Sequence, residues 1–513
     1  MENGRRHGGE VRVRSIVIVG GGTAGWMAAC RLASEFPSGE VDILVIESSD
    51  IATVGVGEAT VPAIRDYIRN IGLSDAEVLA ATNGTLKLGI LFDGWAGEGS
   101  KIFHPFGQYG MRARGVAFHQ YLASAASAGV DQDLGSYALA TALAAKGRFM
   151  LPSDQPVHDF LHFDWAMHFD ATLFGKLLAD RAKSLGVRHA DVRIEEVVIS
   201  DSSFTIDAVK SICGQTFTAD FFIDCTGSRS LLLGKALGVP YVDWSGFLPC
   251  DSAIAVQSAR DETPAPYTTS TACKAGWRWR IPLRNRTGNG YVFSSRHLSV
   301  DEANASLLTA VGSEATTQPR LIQFTTGHRQ SFWKGNCLGL GLAAGFMEPL
   351  ESTSLVLVQS GIERFLEFFP TAGTDTVMAR EFNRVTTLEY ARIRDFIILH
   401  YWGNRQNGFP MWDECRAMKL PDALRHKVDL FEENGHLINY DWESFQGPSW
   451  LSIYSGLGIR PKRYDPRANF FSTDAIASSL ERMKATIADQ IEAALPASDF
   501  LERYLSVSNA KMP

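Results

Sequence analysis

SIVIVGGGTAGWMAACRLASEF, residues 15–36, decides the fold of this chain. The β-branched run Ser15–Val19 reads as a buried strand, and the apolar spacing after Gly25 reads as a helix. Between them stands Gly20-x-Gly22-x-x-Gly25. In such a turn the first glycine permits the tight bend and the second lets backbone approach a pyrophosphate. The third lets helix pack on sheet. The helix then opens at Thr23 and Ala24, where unpaired N–H groups and the positive end of the helix dipole face an anion. DILVIES (42–48) supplies the next strand, and Glu47 near its end can accept hydrogen bonds from ribose hydroxyls. A Gly-x-Gly-x-x-Gly alone is a weak signal and occurs as a purely structural turn. Strand, helix and acid in that order make a βαβ dinucleotide site of a doubly wound α/β sheet.

The rest of the composition narrows the class. At 513 residues the chain exceeds one small core, and two to four domains are expected. Hydrophobic residues at 45% and charged residues at 21% are ordinary for a globular protein. A net charge of −8 leaves no basic footprint for nucleic acid and no polybasic membrane patch. No apolar run is long enough for a membrane span. The charged, Gly-rich residues 1–14 read as a disordered arm and not as a secretory leader. Seven cysteines without a Cys-x-x-Cys pair argue against a disulfide framework or zinc site and fit a reducing cytoplasm. His158 and His162 are four apart but lack a third ligand, so no metal is expected.

Further along, HFDWAMHFDATLFGKLLADRAKSLGVRH (162–189) reads as a short lead into an amphipathic helix. Strands are expected at RIEEVVI, FTIDAV, 277–283 and 290–295. FFIDCTGSRS resembles the second flavin motif of FAD monooxygenases, and GNCLGLGLAAGFMEPLE resembles their third. No second Gly-x-Gly-x-x-Gly follows a strand; Gly339-x-Gly341 has its next glycine at 345, off spacing. FAD is therefore expected, reduced by a separate NAD(P)H-dependent flavin reductase. The box-like FAD domain is expected over 15–375, with substrate-module segments interleaved at about 82–160. From 376 to 513 the pattern is mainly helical, with a Gly/Pro-rich patch at 446–466.

Three segments then carry a family resemblance. GWRWRIP (276–282) contains Trp-x-Trp-x-Ile-Pro at Trp277, Trp279, Ile281 and Pro282. TLKLGILFDGW (85–95) contains Lys87, and EPLESTSL (348–355) contains Glu351. Together they resemble the flavin-dependent tryptophan halogenases, and the likeness runs from about residue 15 to 466. It implies an FAD-monooxygenase (PHBH-type) box with a helical, pyramid-like substrate module. It implies halogenation of an indole-type or other electron-rich aromatic substrate by FADH2, oxygen and chloride or bromide through hypohalous acid. A homodimer is a further expectation.

The resemblance also assigns residues. Lys87 activates the oxidant, by hydrogen bonding or as a haloamine, and Glu351 stabilises the cationic ring adduct or takes its proton. VGVGEATVP (54–62) resembles the flavin strap, placing Val56 and Ala59 at the cofactor beside Leu342 and Leu355. The N–H groups of Thr353 and Ser354 cradle halide, with Ser354 where many relatives have glycine. Trp277 and Trp279 shield the flavin, and His104 and Phe106 stack the aromatic guest. Each has a plainer alternative. The tryptophans share one strand face and can be core. Lys87 can be a surface group, Glu351 can complement a helix dipole with Ser352 or Thr353 as cap, and His104 and Phe106 can be loop packing.

One segment departs from the tryptophan-specific members. They carry a tyrosine pair followed by a glutamate; here SWLSIYSGLGIRP has Trp450 and Leu451 at the pair and apolar or small residues where the acid would fall. An unpaired buried ammonium is costly. Free indole, an indole derivative or an aromatic group of a larger molecule is therefore expected ahead of free tryptophan. Two other functions stay open at this level: an aromatic hydroxylase and a non-catalytic flavin-binding protein.

Overall fold

The computed structural model describes residues 13–36, 39–50, 57–130, 133–200, 205–370 and 376–509. Val56 and the first part of the expected strap lie outside the described residues. So do residues 1–12 of the expected arm, whereas Val13 is buried and the Arg14 amide donates to Asp220. Ser15–Val19 is the inner strand of a six-stranded sheet. It pairs in parallel with Asp42–Glu47 on one side and Phe221–Asp224 on the other, and Arg188–Asp191 and Cys337–Gly339 extend the parallel array. Continuous apolar runs suit strands covered on both faces. Helices Thr23–Glu35 and Ala171–Ser184 pack together, with Ser354–Glu367 also against the first.

A seven-stranded sheet forms the second wall. Gly276–Pro282, which carries both tryptophans, lies between Thr287–Phe293 and Thr268–Cys273. Thr268–Cys273 pairs in parallel with Gly89–Asp93, which pairs in turn with Lys101–Pro105. A smaller sheet sets Ala166–Asp170 between Gly57–Ala59 and Thr85–Lys87. The short lead expected before the 171–184 helix is thus a strand. Lys87 and His104 are brought near one another because only Leu88 separates Thr85–Lys87 from Gly89–Asp93, the strand that pairs with Lys101–Pro105.

Beyond residue 376 the chain is helical, led by Thr376–Gly403. The 446–466 patch is not all loop: Gly447–Gly456 is a helix with Pro448 in its first turn, where its missing N–H costs nothing. All seven cysteines are free. No helix among the described residues is long and apolar enough to cross a membrane.

The glycine turn shows why Gly20 and Gly25 accept no side chain. Gly20 has φ +114°, and a Cβ there would stand 2.1 Å from the Cys225 carbonyl oxygen. A Cβ on Gly25 would meet the Gly20 carbonyl at 1.9 Å, whereas one on Gly22 meets nothing within 4 Å among the described residues. Gly25 therefore supports the turn from behind, and Gly22 opens onto free space. Gly20→Ala should lower stability by about 2 kcal/mol or more and weaken FAD binding at least tenfold, read by urea unfolding and flavin titration.

Candidate functional site

A cavity of about 460 Å³ runs between the two large sheets. At one end it is lined by Gly20, Gly22, Thr23, Ala24 and Glu47, and along its length by Thr226, Ala59, Trp277, Trp279, Leu342, Pro349 and Leu355. The 23–35 helix has Gly22 as N-cap with no side-chain cap, so its first amides are free to meet an anion. An uncapped helix start, an open Gly22 and an acid at the end of the second strand fit the pyrophosphate and ribose of a dinucleotide. Glu47 also meets His189, Nε2 to Oε1 at 2.8 Å. Gly25 is buried and does not line the cavity.

Lys87 lies beyond the cavity wall and is fully buried. Its Nζ donates to the Thr60 carbonyl at 2.7 Å and to Ser352 Oγ at 2.8 Å, and it stands 5.3 Å from the centroid of the Phe106 ring. Burial disfavours the ammonium and the charge on Glu351 favours it; burial wins, lowering the amine to about 7. The surface alternative for Lys87 is excluded.

Glu351 is also fully buried. It is not in the first turn of the following helix. Pro349–Glu351 forms a separate 3₁₀ turn, Ser352 adopts a left-handed conformation (φ 60°), and the helix begins at Ser354 with Thr353 as N-cap. Thr353 makes no side-chain cap, and Ser352 Oγ is turned to Lys87. Neither expected cap therefore forms. The left-handed step swings the Glu351 carboxylate off the helix axis and between two histidines. His104 Nδ1 lies 3.0 and 3.1 Å from its two oxygens. His400 Nε2 lies 2.9 Å from Oε1. Burial pushes this carboxyl up, but the two imidazoles together outweigh it and hold it at about 2. It is therefore ionised throughout the neutral range.

Around this group the walls are aromatic. His104 contacts the rings of Phe106, Phe396 and Phe445 at 6.5, 5.8 and 6.2 Å between centroids. Phe396 stacks on Phe445 at 4.1 Å and meets Trp450 at 4.9 Å. Leu451 is buried next to Trp450 in the chain. Behind Trp450, Lys427 Nζ lies 4.4 Å from the ring centroid and 2.8 Å from Glu443. The amides of Thr353 and Ser354 precede the first intrahelical bond, Leu357 to Thr353, and so have no helix partner. Ser354 and Ser352 line the cavity, and the buried Thr353 Oγ1 has no partner among the described residues.

Sequence reasoning missed Thr60, Ser352, Phe396, His400 and Phe445. His400 stands in RDFIILHYW (394–402), and one histidine in an apolar helix carries no signal of its own.

Fold and cavity define a dinucleotide-binding α/β flavoprotein with buried Lys87 and Glu351 beyond the cofactor space. The tryptophan halogenase family model matches residues 15–473. The tryptophan 6-halogenase SttH of Streptomyces toxytricini is 32% identical over 474 residues, 87% of this chain and 90% of that one. The tryptophan 7-halogenase RebH of Lentzea aerocolonigenes is 31% identical over 490 residues, 89% and 92% of the two chains. The solved structure of BrvH, a flavin-dependent halogenase from Brevundimonas sp. BAL3, superposes with a TM-score of 0.93 at 44% identity, covering 96% of this chain and 99% of that one. The chain belongs to the tryptophan halogenase family. It is a flavin-dependent halogenase that uses FADH2 from a separate reductase, with halide as co-substrate.

Lys87 also sets a stability signature. Its folded-state value of about 7 lies below the unfolded 10.5, so the unfolded chain binds more protons between these limits. Stability contributed here rises with pH, by roughly 1.4 kcal/mol per unit. Lys87→Met should remove that slope. Its stability difference from wild type should shift by roughly 3 kcal/mol in favour of wild type between pH 7 and pH 9.5, measured by urea unfolding.

Proposed function

We propose that this enzyme halogenates a neutral indole-type ring held in the chamber walled by His104, Phe106, Phe396, Phe445 and Trp450. The observation that carries the reading is the joint burial of Lys87 and Glu351, linked through Ser352 at the edge of the cofactor cavity. Reduced flavin and oxygen, when bound, supply the oxidising equivalent that turns halide into hypohalous acid. The chain's own residues do the rest. Free amides at Thr353 and Ser354, with the unpartnered Thr353 hydroxyl, suit a halide beside the cavity. Lys87, balanced between ammonium and amine near neutrality, can polarise hypohalous acid by hydrogen bonding. As the free amine it can instead displace water to form an N–halogen bond.

Glu351 is ionised and dry, so its charge stabilises the cationic ring adduct strongly. Its carboxylate then accepts the ring proton, whose transfer restores aromaticity. Trp277 and Trp279 stand on the cavity side and act as wall, keeping the aromatic guest from the flavin. Gly20, Gly22, Thr23, Ala24 and Glu47 hold the dinucleotide, with Ala59, Leu342 and Leu355 toward its other end. Free cysteines throughout accord with a cytoplasmic setting.

The substrate class follows from charge. The ionic groups nearest Trp450, Lys427 and Glu443, are paired with each other. A zwitterionic amino acid would meet no free partner there, at a cost of several kcal/mol. Supplied with FAD, a reductase, NADH and bromide, the enzyme should turn over indole with kcat/KM at least tenfold above free tryptophan. The reverse order would overturn the assignment. Lys87→Ala and Glu351→Gln should each keep FAD affinity within threefold and lower halogenated product at least hundredfold, by mass spectrometry. Near-normal yield from either variant would refute its role.

A further inference from the structure

A second carboxyl stands three residues before Glu351, and the chemistry above makes no use of it. Glu348 is fully buried. Its Oε2 accepts from the Tyr401 hydroxyl at 2.7 Å and from Trp277 Nε1 at 3.3 Å, while Oε1 is buried with no partner among the described residues. The titratable groups that face it are Tyr401 on the 376–403 helix, Cys250 ahead of the 252–258 strand and Cys415 on the 410–417 helix. None is basic, and no lysine, arginine or histidine pairs with it among the described residues. Both of its hydrogen-bond partners are aromatic, and Tyr401 packs in turn against Trp95 and Trp412.

This is the opposite of the Glu351 environment. A carboxylate without a counter-ion in a dry aromatic shell is far more costly than the protonated acid. Burial accordingly pushes Glu348 up to about 7, against the hydrogen bonds from Tyr401 and Trp277. Its position gives that protonation state a consequence. Trp277, Met347, Pro349 and Leu350 all line the cofactor cavity, so Glu348 stands directly behind the cofactor wall. Its other partner, Tyr401, follows His400, which faces Glu351. One turn of the long helix thus grips both carboxyls of the 348–351 segment.

We propose that Glu348 is a positioning residue which, as a neutral acid, ties the cofactor-side indole of Trp277 to Tyr401 and so fixes the wall against which FAD seats. Ionising it places an uncompensated charge behind that wall. The charge must be relieved by admitting water or shifting Trp277, and either change disfavours a bound flavin that dries the same face.

The test is the affinity for oxidised FAD between pH 6 and pH 8.5, by flavin fluorescence titration of the full chain. Wild type should weaken at least fivefold across the range. Glu348→Gln, neutral at every pH, should vary less than twofold. Tyr401→Phe removes a hydrogen bond that favours the ionised form, so its loss of affinity should begin at higher pH than in wild type. A purely structural role would not move that midpoint. Lys87→Met should keep the wild-type slope. The proposal fails if wild type shows no pH dependence, if Glu348→Gln keeps it, if Tyr401→Phe leaves the midpoint in place or lowers it, or if Lys87→Met abolishes it.

Discussion

A carboxylate sealed from water persists at the centre of this protein because two imidazoles flank it. Without His104 and His400, burial would drive Glu351 to its neutral form, and its ability to stabilise a cation would vanish. The contact also constrains the backbone. Ser352 occupies the left-handed region, uncommon for a residue with a side chain, and that single step both aims Glu351 and presents Ser352 Oγ to Lys87. The charges of lysine and glutamate are thus placed by one strained residue.

The two buried ionic groups are tuned in opposite directions by the same physics. Lys87 is offered neutral oxygens, the Thr60 carbonyl and the Ser352 hydroxyl, which satisfy its hydrogens without returning the full charge stabilisation lost to burial. Glu351 is offered imidazoles that do more than compensate. The result is an amine near its balance point beside a carboxylate far from its own. This pairing suits an oxidant that must be captured and a cation that must be stabilised.

The aromatic density of the chain has a comparable division of labour. Trp277 and Trp279 face the cofactor cavity, whereas His104, Phe106, Phe396, Phe445 and Trp450 form a linked ring cluster that does not line it. Rings exclude water at low conformational cost, and a dry interior suits a reactive species that water would destroy.

How much of this was legible beforehand depends on the range of each interaction. The glycine turn, the strand before it and the acid after the second strand are local, so spacing alone identified a dinucleotide fold. The Trp-x-Trp-x-Ile-Pro strand and the segments of Lys87 and Glu351 were legible because short contiguous motifs carry a family likeness. The helix assumed to start at Glu351 was misread, because a 3₁₀ turn and a left-handed serine leave little trace in composition. His400, Phe396, Phe445 and the Thr60 carbonyl escaped altogether. The first three lie far along the chain and join Glu351 only when the helical segment folds over the strands, and Thr60 reaches Lys87 only through the small sheet that both flank. Sequence by itself determined the cofactor fold, because its backbone conformation is set by near neighbours, and named the two ionic residues, because they sit in short contiguous motifs. Tertiary structure alone decided their protonation, since a pKa is fixed by whichever distant groups share the same dry interior.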